Sequence, residues 1–495
     1  MQVVWGDELG DETQGQDVLG VRGLDQSLES ALVNGITTIS LRGRYLTILP
    51  WLIGEFFSRE VEQGTTEFSI DRLRHFIARV EYLTLASTQL DPEQSDGGGA
   101  LGTNIFSAEM IALRSGDTVP FPVDRTGTML GTYVGPCRAI GLLANSDSTS
   151  AQPIVLTPRG SEIWQARDAA MEGNGLKELL WSAEALRPDQ ARAAAPHFSL
   201  GALTRSGREA NLLRTALMDS WAPAGQGTIA EDAYSRFAGT VGWLLAERRQ
   251  GALHAETMLA DNYRLVCLSQ GRIGDTRLAW AEYEWRRRLH YALELLASAF
   301  SETIRELDQA SPEEVVEAWS QEPNLPELLT SVWPACVTVW SEDGTGATAS
   351  VPAELLLDQP LPTRGLSAMS LHARAIGAFG LIVALATQSV DLRASGAFGD
   401  RRSAGEAALA VVETAGSEPF FVTLQTLAQV CASAHLSTTF RKMAGGQKCS
   451  LRFFPDGPRL RTTGLSLGAG RSNTRLINVI RILADAGVEG LADAA

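Results

Sequence analysis

The sequence predicts a mainly α protein with a minor α+β component: a multi-helical body carrying small helix-and-hairpin modules. Two patterns carry this expectation. Apolar residues recur at helical spacing along most of the chain, whereas alternating stretches are brief and bounded by Gly, Pro and Asn. With 495 residues, 44% of them apolar, the chain can build several cores and is not of disordered composition.

Taken in order, Leu28–Leu32 and Ile48–Phe57 read as helical pieces, and Ile70–Thr88 places Leu73, Ile77, Val80 and Leu83 on one face. A Pro- and Gly-rich loop at Asp91–Gly99 then closes an N-terminal helical domain, residues 1–100. Residues 101–170 form a second module. There a helix ends in Ala139-Ile-Gly-Leu-Leu143, a polar turn spans Asn145–Ser150, a strand spans Pro153–Thr157, and Leu156-Thr-Pro-Arg-Gly160 opens the next helix. This succession, within Asn104–Ala170, resembles the second half of a winged helix-turn-helix domain. It departs from that pattern at Gly135-Pro136, where proline should kink the helix that would read DNA.

Residues 171–330 read as a helical domain with one long helix, Thr276–Leu307. Leu278, Trp285, Leu289, Leu293, Leu296, Phe300 and Leu307 fall on one stripe of it, a core seam, while Arg286-Arg-Arg288 is expected on the solvated side. Residues 331–415 should contain a hairpin, Ser331–Val351, turning at Glu342–Gly346, followed by a helix at Leu366–Ala386. Residues 416–495 form a C-terminal basic module resembling a second winged helix. It holds a helix at Pro419–Leu436, strands at Cys449–Phe454 and Arg459–Thr463 around Pro455-Asp-Gly-Pro458, a turn at Gly464–Gly470 and a helix at Ser472–Ala486.

Charge singles out that last module. The chain carries −16 overall, yet Arg441–Arg481 holds nine basic residues and one acid, Asp456. Segregation of this kind marks a surface for a polyanion. The candidate nucleic-acid contacts are Arg441, Lys442, Lys448, Arg452, Arg459, Arg461, Arg471, Arg475, Asn478 and Arg481. The last helix places Leu476, Val479, Ile480 and Leu483 on one side and Arg471, Asn478 and Arg481 on the other, an arrangement suited to a groove. Gly464, Gly468 and Gly470 form a candidate phosphate turn, because glycines let backbone N–H groups face an anion.

Catalytic constellations lack members. None of the three lysines (Lys177, Lys442, Lys448) follows Asp or Glu by two positions, as the PD-(D/E)xK nuclease core requires, and neither a P-loop nor His-Glu-x-x-His occurs. Gly464-Leu-Ser-Leu-Gly468 matches the nucleophile-elbow pattern, but the last histidine, His435, precedes Ser466. Arg192 and His197 have the Arg-x4-His spacing of HEPN ribonucleases, with the helix breaker Pro196 between them. The other histidines (His75, His254, His290, His372, His435) stand alone and read as hydrogen-bonded helix residues. Five scattered cysteines give neither a disulfide framework nor a metal knuckle. No cofactor and no metal are expected. The acidic start of the chain lacks the features of a signal peptide, and the longest apolar run, Ala375–Ala386, is too short for a membrane span, so the sequence reading is cytoplasmic with no membrane partner.

The phrase Asn34-Gly-Ile-Thr-Thr-Ile-Ser-Leu-Arg-Gly-Arg-Tyr-Leu-Thr-Ile-Leu-Pro-Trp51 resembles the opening of large uncharacterised bacterial proteins described near phage-defence and restriction-like genes. The residues themselves read as core (Tyr45, Leu49, Trp51, Phe56) and salt-bridged surface (Arg42, Arg44). Together these readings give a non-catalytic DNA-binding and assembly component of a bacterial defence or DNA-processing complex, with protein partners. The alternatives are a nuclease or other effector enzyme without a recognisable motif, and a protein-interaction scaffold.

Overall fold

The computed structural model describes residues 17–64, 69–93, 98–123, 128–146, 152, 154–219, 228–248, 254–269, 273–321, 370–394, 403–415, 420–446, 449–470 and 473–488. Among them the chain is mainly helical, with seventeen α-helices and seven short strands. The first ten helices are α1 (Arg22–Val33), α2 (Tyr45–Glu62), α3 (Ile70–Leu90), α4 (Ser107–Ser115), α5 (Met129–Ala139), α6 (Pro158–Ala170), α7 (Leu176–Ser182), α8 (Pro188–Phe198), α9 (Gly207–Met218) and α10 (Thr228–Glu247). The others are α11 (Ala255–Leu268), α12 (Asp275–Leu307), α13 (Pro312–Ser320), α14 (Leu371–Ala394), α15 (Ala404–Ala415), α16 (Phe420–Ala444) and α17 (Leu476–Asp485). The expected hairpin at Ser331–Val351 lies outside the described residues.

The chain forms two compact units, each assembled from separate stretches: Met1–Glu29 with Glu256–Asn473, and Ser30–Ala255 with Thr474–Ala495. These divisions fall at none of the boundaries read from composition, because long-range packing rather than local punctuation sets them.

In the unit built on Ser30–Ala255, α2 packs against α5 and α6, and α3 packs against α8. Tyr45, Leu49, Trp51 and Phe56 are buried, as expected. Prolines inside two of these helices are accommodated by donors from elsewhere. Pro50 removes the amide that would bond the Leu46 carbonyl, and the Cys137 thiol donates to that oxygen at 3.8 Å instead. Pro136 frees the Thr132 carbonyl, which receives the Ser40 hydroxyl at 3.5 Å, so α5 continues to Ala139.

The helix-to-strand phrase beyond α5 has a clear physical basis. Gly141, at φ +73°, ends α5 in a left-handed cap, with the Leu142 N–H donating to the Cys137 carbonyl at 2.7 Å. Strand β2 (Leu143–Asn145) then pairs antiparallel with β3 (Ile154–Leu156), Leu143 opposite Leu156. The Thr157 hydroxyl donates to the Gly141 carbonyl at 2.6 Å and accepts from the Gly160 N–H at 3.1 Å, capping α6. A Cβ on residue 160 would lie 2.0 Å from the Leu142 carbonyl oxygen, so only glycine fits there. A further strand pair joins β1 (Val119–Pro120) to β4 (Ala185–Leu186).

The other unit is organised around α12, which packs on α14 and α16. Trp285, Leu289, Leu293, Leu296 and Phe300 are in its core, while Leu278 is partly buried and Leu307 is exposed. Arg286, Arg287 and Arg288 are buried, contrary to the expected solvated face. Acids on the same helix make this tolerable: Arg286 pairs with Glu282, and both Arg287 and Arg288 pair with Glu284 at i,i+3 and i,i+4 spacing. Glu406 and Glu256 add partners from α15 and α11. A three-stranded sheet, β5 (Gln309–Ala310), β7 (Arg459–Thr462) and β6 (Phe453–Asp456), completes the unit. Phe453 packs edge-on against Phe300 at 5.6 Å. Because the Thr463 N–H donates to the Arg452 carbonyl, Phe454–Arg461 and Asp456–Arg459 fall at hydrogen-bonded positions of the ladder. Pro455 therefore occupies a position whose missing N–H removes no ladder bond.

Candidate nucleic-acid interface

The basic segment is divided between the two units. Arg441, Lys442, Arg452, Arg459 and Arg461 belong to one, and Arg475, Asn478 and Arg481 belong to the other. Lys448 and Arg471 lie outside the described residues.

In the first unit, α16 ends in Arg441 and Lys442, cations placed where a helix C-terminus favours them. Lys442 turns inward, its ammonium donating to the Asp17 carbonyl, and burial lowers its pKa. Arg441 is exposed and has no ion pair among the described residues. Arg452 uses its backbone N–H to bond His435 Nε2 at 3.0 Å. Arg459 and Arg461 project from one face of β7 on either side of buried Leu460, with side chains 44% and 46% exposed. Arg459 pairs with Glu314, and Arg461 pairs with Asp456 at 3.4 Å.

In the second unit, α17 buries Leu476, Val479, Ile480 and Leu483 as the sequence pattern requires. Its polar face, however, is engaged internally. Arg475 donates to the Ser30 hydroxyl at 2.6 Å, and buried Asn478 donates to the Thr37 carbonyl at 2.7 Å. The Asn478 amide is therefore not available to a base edge. Arg481 is half-buried without an ion pair among the described residues, and its charge favours the ionised form of Asp485.

The candidate phosphate turn is similarly engaged. The Gly464 N–H bonds the Thr462 hydroxyl at 3.0 Å, and the Gly470 N–H bonds the buried carboxylate of Glu294 at 2.9 Å. Glu294 is also held by Arg22 at 2.6 Å, so the anion at Gly470 comes from the protein itself. No helix begins among the described residues of Gly464–Gly470, so Ser466 lacks the strand–turn–helix setting of a nucleophile elbow.

Pro196 does not break α8, which continues to Phe198. His197 is half-buried, with Nε2 3.3 Å from the Asn174 amide nitrogen, and burial followed by nearby Arg167 and Arg44 lowers its pKa. Arg192 is exposed.

Sequence reading missed a buried charge cluster in the same unit. Arg44 and Arg167 both pair with Glu209, and the Thr47 hydroxyl donates to the same carboxylate. Burial alone would raise the Glu209 pKa, but the two guanidinium groups prevail and hold it at about 2. For Arg167 burial prevails, lowering its pKa to about 10. Arg44 is thus ion-paired as expected, though in the interior rather than at the surface. Arg42 pairs with Asp485 at 3.0 Å. No local motif joins residues 44, 167 and 209; only the packing of α2, α6 and α9 brings them together.

Among the described residues, no group of three or more His, Cys, Asp or Glu is placed to hold a metal, and no helix is long and apolar enough to cross a membrane. No known family, characterised protein or solved structure matches the chain.

Proposed function

We propose that this chain is a DNA-binding and assembly component of a bacterial defence or DNA-processing complex, touching nucleic acid through Arg459 and Arg461 on β7 and Arg441 at the end of α16. The observation carrying this reading is the pair of half-exposed arginines on one face of a short hairpin. Their ion pairs are solvent-exposed, and pairs of that kind contribute only about 0–1 kcal/mol, so phosphate can replace the carboxylate at little cost. The helix–hairpin–helix order of α5, β2, β3 and α6 supports the winged-helix reading of residues 101–170.

Three phosphate contacts give a log–log salt slope of roughly −2 to −3 in a mobility-shift titration of full-length protein. Changing Arg441, Arg459 and Arg461 together to Glu should weaken binding at least about tenfold while leaving the thermal melt in place. Salt-independent binding, or unchanged affinity in the triple variant, would remove these residues from the interface. The engagement of Lys442, Arg475 and Asn478 within the fold favours a second reading, a protein-interaction scaffold. Absence of any nucleic-acid binding, together with retained partner assembly, distinguishes that reading.

A further inference from the structure

The three-stranded sheet of the Glu256–Asn473 unit has one face in the core and one face turned outward. Side chains alternate along a strand, so the burial of Ala310, Phe453 and Leu460 sends Gln309, Phe454, Asp456, Arg459 and Arg461 to the outer side. The register sets three of them in one row: Gln309 on β5 lies opposite Arg461 on β7, which lies opposite Phe454 on β6. Arg459, opposite Asp456, stands diagonally from Phe454, a separation that long side chains span. One small face thus carries an aromatic ring and two guanidinium groups, with the Gln309 amide at the end of the row supplying donor and acceptor.

Phe454 is 37% exposed. Core packing does not require it there, since the neighbouring Phe453 fills the interior against Phe300. Arg461 pairs with Asp456 at 3.4 Å rather than covering the ring, and among the described residues no aromatic ring or guanidinium stacks on Phe454. Strand addition does not account for the exposure either. β6 is an edge strand, and Pro455 stands where an N–H would point away from β7, so an added strand would miss a donor.

We propose that this face binds single-stranded nucleic acid, with Phe454 stacking on an unpaired base while Arg459 and Arg461 hold the flanking phosphates. The inference rests on the DNA-binding reading of the same arginines and adds the form of nucleic acid that they meet. In a duplex the bases are stacked on one another and show only their edges in the grooves, so an open ring on a sheet face finds nothing to stack on. An unpaired base offers its π-face whatever its identity, and a ring flanked by cations captures it together with its backbone. The groove-reading alternative has lost its amide, because Asn478 is bonded to the Thr37 carbonyl within the other unit.

The test is fluorescence anisotropy of full-length protein at low salt with labelled oligo-dT, oligo-U and a DNA duplex of the same length, which separates DNA from RNA and strand from duplex. Single-strand affinity should exceed duplex affinity at least about fivefold, the effect of one stacked base. Phe454→Ala should lower single-strand affinity by a similar factor, whereas Phe454→Tyr, which keeps a ring, should retain it, with thermal melts confirming that both variants fold. A strand carrying 5-iodouracil, irradiated in the complex, should crosslink to Phe454 by peptide mapping, a result that a purely structural role would not produce. Equal affinity for strand and duplex, crosslinks that map elsewhere, or unchanged single-strand affinity in folded Phe454→Ala protein would overturn the stacking inference. If the triple arginine variant still weakens binding in that case, the DNA-binding reading stands without it. Failure of every probe to bind would remove both.

Discussion

His435 shows how one side chain is assigned its state by its neighbours. Its Nδ1 donates to the Val18 carbonyl at 3.1 Å, and its Nε2 accepts from the Arg452 N–H, so the neutral ring satisfies two backbone groups. Burial, first, lowers its pKa to about 4, with Arg452 and Lys442 adding to the effect. The unfolded chain therefore takes up a proton here that the folded chain refuses. The stabilisation is complete above the ordinary histidine value of about 6.5 and is lost as pH falls toward about 4, by at most about 3 kcal/mol. Denaturant titrations at pH 7 and pH 4.5 should show this loss in the native chain and a smaller one in His435→Gln, the difference isolating His435 from the carboxylates. Equal losses in both proteins would exclude it. In sequence, His435 is one isolated histidine; the two backbone partners, seventeen positions away in one case and more than four hundred in the other, are invisible there.

At the scale of elements, periodicity located the helices well but could not state which face meets solvent. Helix α12 carries the expected seam, yet its arginines are buried because Glu282, Glu284, Glu256 and Glu406 surround them. The i,i+3 and i,i+4 acids were legible, whereas Glu256 and Glu406 come from other helices. The turn between α5 and α6 was more legible, since Gly141, Thr157 and Gly160 each meet a local requirement of cap or close approach. Leu142 within it is fully buried. Leu142→Ala should cost about 2–5 kcal/mol, measured by equilibrium unfolding. A loss under about 1 kcal/mol would mean that the site collapses around the smaller side chain. The cadence recurs after α17, where the Val488 N–H reaches the Leu483 carbonyl at 3.1 Å.

For the whole molecule, the contiguous basic stretch is not a structural module. Residues up to Asn473 complete one unit, and those from Thr474 complete the other. A fragment spanning Ser417–Ala495 therefore contains part of each core and neither in full. It should show no cooperative melt by circular dichroism, and truncation after Asn473 should destabilise the remaining chain by exposing the partners of Leu476, Ile480 and Leu483. A sharp melt of the isolated fragment would restore the C-terminal segment as an independent domain.

The sequence by itself determined the mainly helical class, the apolar seams of α12 and α17, the caps around α5 and α6, and the turn between β6 and β7. Each depends on spacing of a few residues and on backbone chemistry that glycine, proline and threonine impose locally. The tertiary structure alone decided the division into two discontinuous units, the burial of Arg44, Arg287 and Asn478, and the approach of His290 to Asp25. These rest on pairings across tens to hundreds of positions. A charge or a polar atom has the same local pattern whether water or a distant side chain becomes its partner, and only the folded chain supplies that partner.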